Sequence, residues 1–134
     1  MAELFILALL GHLVGDYLLQ SQWMAFTKSK KGTQGILACT IHVLIYTALV
    51  ALFLQTTNLL ILGLIFIPHW IIDRWSLGEL WLQLIKGRTY KEILTLKPGL
   101  ERDFKIAFYA PVYMVVDNTF HILSLWLVIR FFML

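Results

Sequence analysis

Residues 11–20 read GHLVGDYLLQ, and they place His12 and Asp16 four positions apart inside an otherwise apolar run, residues 2–24. A run of that length matches the roughly 20 residues a helix needs to cross about 30 Å of hydrocarbon. It has no basic leading segment and no small-residue cleavage site, so it reads as a retained helix and not a removed signal peptide. A histidine and a carboxylate inside such a helix are costly when left alone. Partners for them are therefore to be sought elsewhere in the chain.

Three more runs of spanning length follow, residues 36–55, 59–82 and 106–132. With 60% of its 134 residues hydrophobic and 14% charged, the chain is too apolar for a soluble domain of this size. The expected fold is all-α, a single transmembrane domain over residues 1–134 built as an integral membrane four-helix bundle. Its one cysteine, Cys39, excludes an internal disulfide framework.

Orientation follows from the charges. Nine of the eleven Lys and Arg residues fall in two places. Lys28, Lys30 and Lys31 follow the first run; Lys86, Arg88, Lys91, Lys97, Arg102 and Lys105 follow the third. The turn at residues 55–58, QTTN, carries no charge. By the positive-inside rule both basic loops are cytoplasmic and both termini lie outside. The net charge of +3 is then a topology signal: its expected partners are the lipid bilayer and its anionic headgroups, not nucleic acid. Residues 86–105 form the one long soluble loop, and residues 90–96 within it read as a short interfacial helix stopped by Pro98-Gly99.

The partners for His12 and Asp16 emerge from the other histidines, His42, His69 and His121, which fall one to a helix. His69 precedes Asp73 by four in HWIID, and Asp117 precedes His121 by four in DNTFH. That spacing puts both members of a pair on one helix face. Helices one and three run inward and read His then Asp; helix four runs outward and reads Asp then His. All three pairs thus hold the histidine nearer the exterior.

Depth sharpens the pattern. Asp16 is 12 residues from Lys28, His42 is 11 from Lys31, Asp73 is 13 from Lys86 and Asp117 is 12 from Lys105. At the helical rise these four share one level, roughly 18 Å from the loops. His12, Tyr46, His69 and His121 stand 15 to 17 residues from the same lysines, a second level about 6 Å further out. Two stacked polar layers are expected.

An ionised Asp near the bilayer centre costs about 2.5–3.5 kcal/mol even on the lenient insertion scale. A divalent cation would offset that cost more fully than neutral imidazole. His12, Asp16, His42, His69, Asp73, Asp117 and His121 are of the donor types that bind zinc, iron or manganese in bundle cores, zinc being the first expectation. They exceed one tetrahedral site, and suit two ions or one ion with Asp-to-His hydrogen bonds fixing the ring tautomers. A metal-free structural network and a proton or ion relay draw on the same residues. Heme held by two histidines would leave the matched aspartates unexplained.

Around this set, Gln20 continues the His12–Asp16 stripe. Tyr46 and Tyr113 stand four residues from His42 and Asp117 and could donate hydrogen bonds to the site, although aromatic packing is the commoner use. Arg74 points about 100° away from Asp73, toward Gln20, Glu79 or a bound anion. Asn118 is placed to join helices. Pro68 frees a carbonyl one turn back and invites a kink or a water pocket. Gly11 and Gly15 make a small-x-x-x-small packing face. Trp23, Trp75, Trp81 and Trp126 suit the membrane interface.

The order GHLVGDYLLQSQWMA, HVLIY, HWIIDRW, DNTFH resembles the small bacterial membrane family catalogued as domain of unknown function 3307. The resemblance covers essentially the whole chain, and its first and third motifs are the most specific. Asp-Gln more often opens the family's last motif, where this chain has Asp117-Asn118. The resemblance implies a four-helix protein of the bacterial cytoplasmic membrane with these His and Asp positions in common. It supplies no activity. A further likeness, to membrane-bound metal-dependent hydrolases with His and Asp on several helices, is architectural only.

With a metal present, the economical chemistry is hydrolysis at the membrane, with Asp16, Asp73 or Asp117 as general base. The substrate would enter from lipid: an acyl lipid, or a polyprenyl or phospholipid phosphate. The alternatives are a proton or divalent-ion transporter, for which a homo-oligomer would widen the path, and a non-catalytic structural or partner-binding subunit. Residues 48–54 and 123–129 are almost wholly apolar, which argues against a path through the membrane.

Overall fold

The computed structural model describes residues 1–87 and 90–133. Among these described residues seven α-helices follow in chain order: α1 (Ala2–Leu13), α2 (Gln22–Thr27), α3 (Thr33–Leu54), α4 (Leu59–Trp75), α5 (Leu77–Lys86), α6 (Tyr90–Thr95) and α7 (Leu100–Phe132). A π-helical segment, Val14–Leu18, continues α1. The fold is all-α, with no strand among the described residues. Two helices, α3 and α7, are long and apolar enough to cross a membrane, and α4 with α5 makes a third such span if the bent pair is taken as one.

Four helices close into a ring: α1 packs on α3 and α7, α3 on α4, and α4 on α7. The α1–α3 contact is close because two glycines allow it. A Cβ on Gly11 would stand 2.8 Å from the Val50 Cα, and one on Gly15 would stand 2.9 Å from the Tyr46 ring. At one end of the ring Ala8, Val50, Leu54, Ile61, Ile65, Leu125, Val128 and Ile129 form an apolar core. A smaller cluster of Leu82, Ile93 and Tyr109 joins α5 and α6 to α7. Large apolar side chains such as Leu52, Leu59, Phe108 and Phe131 stand exposed on the outer faces, the arrangement that suits contact with lipid.

Two of the four expected helices are broken. The run 2–24 does not continue as one helix, because the chain turns after Leu18 and Ser21 starts α2. Ser21 is extended (φ −71°, ψ 156°) and its hydroxyl accepts from the Met24 amide at 3.3 Å, the arrangement of a favoured N-cap residue. The run 59–82 bends by 56° between α4 and α5. The hinge is Ser76, in the left-handed region at φ 49°, and not Pro68, which lies within an unbroken α4. The last helix begins at Leu100, directly after Pro98-Gly99 and six residues before the expected start at 106. The short helix expected at residues 90–96 is present as α6, Tyr90–Thr95. Arg88, counted among the loop cations, lies outside the described residues.

Candidate functional site

The breaks matter because they surround the polar residues. Asp16 sits at the middle of the π-helical segment, which is closed by the Leu19 amide donating to the Val14 carbonyl at 3.0 Å. Such wide turns recur at functional positions. His12 ends α1, His42 lies midway along α3, His69 and Asp73 occupy the last turns of α4 before its bend, and Asp117 and His121 lie along α7. All four ring helices thus contribute, and all seven of these residues meet in one cluster, its four histidines and Asp73 buried and Asp16 and Asp117 half-buried.

The outer layer is a cycle of rings. Tyr46 packs on His69 with centroids 3.7 Å apart, His69 on His121 at 4.2 Å, His121 on His12 at 5.8 Å and His12 on Tyr46 at 5.7 Å. Tyr46 serves this layer by packing, and all four rings are buried.

The inner layer converges on two imidazole nitrogens. His42 Nε2 lies 3.1 Å from Asp73 Oδ2, 3.2 Å from Asp16 Oδ1 and 3.2 Å from His69 Nε2. His69 Nε2 is itself 3.2 Å from Asp73 Oδ2 and 3.6 Å from Asp16 Oδ1. The other oxygen of each carboxylate turns outward: Asp16 Oδ2 is 3.2 Å from His12 Nδ1, and Asp73 Oδ1 is 3.5 Å from His121 Nε2. His121 Nε2 is also 3.5 Å from Asp117 Oδ2. Asp16 Oδ1 and Asp73 Oδ2, which face the two imidazoles, are buried and take part in no hydrogen bond. Burial of an oxygen in that state is costly and calls for an explanation.

Three groups among the described residues could hold a metal ion: His42, His69 and Asp73; Asp16, His69 and His121; and Asp73, Asp117 and His121. In each, the donor atoms lie within 4.8 Å of one another.

The surrounding residues divide into those the site uses and those it does not. The Gln20 side-chain amide reaches His42 Nε2 at 3.2 Å. Asn118 joins helices, with its Oδ1 2.8 Å from His12 Nε2 and its amide donating to the Tyr17 hydroxyl and, at 2.8 Å, to the Met114 carbonyl. Tyr113 packs instead against the Leu82, Ile93 and Tyr109 cluster. Arg74 faces away from the cluster, into a cavity beside the α4–α5 bend. Cys39 is fully buried, with its sulfur 3.8 Å from the Trp70 carbonyl, and it is not among the possible metal donors.

One residue at the site goes unpredicted from the sequence. Lys28, read there as a loop charge and used to mark depth, donates from Nζ to Asp73 Oδ1 at 2.8 Å. The turn after Leu18 carries it back, so the count of residues from Lys28 to Asp16 is not a distance along one helix. Burial alone would push the Lys28 pKa down; Asp73, with help from Asp16 and Asp117, more than reverses this, and the pKa is raised. Lys28 is therefore a fixed positive charge on the cluster. The signal for it was Ser21, a cap residue inside an apolar run.

The chain belongs to the family described as Protein of unknown function (DUF3307), whose model matches residues 4–134. No curated protein and no solved structure matches it.

Proposed function

We propose that this chain is a membrane-embedded metal protein, a four-helix bundle of the bacterial cytoplasmic membrane with both termini outside, and that its His/Asp cluster is a hydrolytic centre for a lipid or lipid-phosphate substrate. The observation that carries the proposal is the spacing of donors around His42 and His69. Zinc bonds of about 2.0–2.1 Å in a tetrahedron set neighbouring donors about 3.3–3.4 Å apart. Around the two imidazoles, the separations of His42 and His69 from each other and from Asp73 and Asp16 run from 3.1 to 3.6 Å. Two carboxylate oxygens aimed at imidazole nitrogens without hydrogen bonds have their natural explanation in a shared cation.

The residues fit one ion better than two. His42, His69, Asp16 and Asp73 would hold it, with zinc the first candidate and iron or manganese the next. Asp73 is shared by both of the His/Asp groups in which it takes part, and its outer oxygen is already held by Lys28. His12 then orients Asp16, while His121 orients Asp73 and is itself steadied by Asp117. When bound, such an ion activates water and polarises a carbonyl or phosphoryl oxygen.

The carboxylates divide by exposure. The Asp73 side chain is 1% exposed and serves to hold; Asp117, at 19%, is open enough to exchange a proton with an entering substrate. Gln20 is placed to orient a water or a substrate oxygen. A proton path across the membrane finds less support, because the helices beyond the histidine layer close on the apolar core around Val50 and Ile129.

The test is metal content by inductively coupled plasma mass spectrometry on detergent-purified protein, beside the Asp16→Asn and His69→Ala variants. The expected result is about one equivalent of a transition metal in the parent and little in either variant. A folded parent purified without chelators that carries no metal overturns the proposal. Circular dichroism on the same samples separates loss of metal from loss of fold.

A further inference from the structure

A second polar space lies beside the centre. A cavity of about 430 Å³ is lined by Ser29, Lys31, Arg74, Trp75, Ser76 and Glu79, together with Leu80 and Gln83. It exists because of the two helix breaks: Ser29 and Lys31 come from the turn after α2, and the others from the bend between α4 and α5. The Lys28–Asp73 ion pair connects it to the His/Asp cluster through chain neighbours. Lys28 and Asp73 face the cluster, and their chain neighbours Ser29 and Arg74 face the cavity.

The lining suits an anion. Two cations, Lys31 and Arg74, stand against one carboxylate, Glu79. Glu79 already accepts from the Tyr109 hydroxyl at 3.4 Å. Among the described residues neither Lys31 nor Arg74 is ion-paired. Helix α5, ten residues long, opens its N-terminus here at Ser76, whose side chain caps no amide; that end carries partial positive charge and amides directed outward. Ser29 and Ser76 add two hydroxyls. A planar guanidinium, a flexible ammonium and hydroxyls together are the donors that recognise a phosphate.

The rim says which phosphate. Trp75 at the end of α4 and Leu80 on α5 line the cavity and are 58% and 52% exposed, and further along α5 Trp81 and Leu84 are 48% and 77% exposed. A free ion needs no such surface, whereas a headgroup attached to acyl chains does.

We propose that this cavity binds the phosphate of an anionic phospholipid headgroup, with the acyl chains lying along α5. The binding site stands whether or not the neighbouring cluster carries metal; its standing as the place where substrate docks rests on the hydrolytic proposal above. Arg74 is then a substrate-binding residue one position from a metal ligand, and the two breaks in the helices serve one purpose, to hold lipid phosphate and centre side by side.

Native mass spectrometry tests this on the detergent-purified full chain, offered equal amounts of phosphatidylglycerol and phosphatidylcholine. The parent is expected to retain one phosphatidylglycerol in preference to phosphatidylcholine. Arg74→Gln and Lys31→Gln should each reduce that retention, by about tenfold for Arg74, the charged bidentate donor, and Arg74→Lys should recover part of it. Lys97→Gln, a loop cation away from the cavity, should match the parent. Equal retention of the two lipids, or unchanged retention in both glutamine variants, overturns the proposal. So does an outcome in which millimolar inorganic phosphate binds through Arg74 while phosphatidylglycerol does not, since the source is then free phosphate. Metal content measured on the same samples keeps the proposals apart: lipid retained through Arg74 by a metal-free parent sinks the metal centre alone.

Discussion

At one end of the helix ring, around Val50, Ile65 and Ile129, side chains meet as they would in any apolar core, and the helices run unbroken. At the other end the same helices carry His42, His69, Asp16 and Asp73, and two of the four chain runs break. The breaks are not scattered. One follows the π-helical segment that holds Asp16, and the other falls three residues after Asp73. An unbroken helix would carry Lys28 onward with its axis, and would continue straight past Arg74. Turning the chain instead brings Lys28 onto Asp73 and lets Arg74 open on a cavity. The apolar end therefore supplies rigidity, and the irregular end gives up helical hydrogen bonds to place charge.

The largest effect should come from substitution of the shared carboxylate. Asp73→Asn keeps the shape and removes the charge that faces both imidazoles and Lys28. Metal should fall from about one equivalent to near none, measured by mass spectrometry after gel filtration. An Asp73→Asn protein that keeps its metal would mean that Asp73 is a structural partner of Lys28, and the division between the two ends would lose its chemical meaning.

How much of this was legible in the sequence differs between the two ends for a physical reason. Helical periodicity carries over long stretches of continuous helix: it puts His12, Tyr46, His69 and His121 in one layer, and their rings meet. The same arithmetic failed for Lys28, because a count along the chain presumes a constant axis. The breaks had local signals that hydropathy hides. Ser21 stands before a short helix, and Ser76-Leu77-Gly78-Glu79 has the S-x-x-E pattern of a helix start. In an apolar run a serine is easily read as one more tolerated small residue. That these histidines and aspartates come together is readable from spacing; the geometry of the cluster depends on two turns that spacing cannot describe.

Lys28 sharpens the comparison at the next level of effect. Its ammonium holds the Asp73 oxygen that faces His121. Lys28→Met removes that charge while keeping most of the apolar stem. Taking a cation away from a carboxylate favours binding of another cation there, so metal content should rise by up to about one further equivalent at the Asp73, Asp117 and His121 group. Titration with zinc, followed by removal of excess metal, reads this directly. A content that stays at the parent's value would mean that Lys28 does not limit the number of ions.

A substitution at the other end should act on stability alone. Ile65→Ala removes a buried side chain that is 2% exposed. Cavity formation in a soluble core costs about 2–5 kcal/mol. Lipid offers no hydrophobic penalty to the unfolded helices, so about 1–3 kcal/mol is expected here. Unfolding in mixed micelles gives that figure, and metal content should match the parent. If Ile65→Ala also lost the metal, the two ends would be one cooperative unit and not a rigid half supporting a chemical half.

The smallest effect is expected at Tyr113, where spacing and structure disagree. It stands four residues before Asp117, the same interval that joins His12 to Asp16 and His69 to Asp73, and a hydrogen bond to the cluster follows from that interval alone. Instead its ring joins the packing of α5 and α6 on α7. Tyr113→Phe keeps that ring and removes only the hydroxyl. It should therefore change stability by no more than about 0.5 kcal/mol and leave metal content unaltered. A loss of metal in Tyr113→Phe, with stability intact, would place its hydroxyl among the groups that organise the carboxylates. The α5–α7 contact would then belong to the centre as well as to the scaffold.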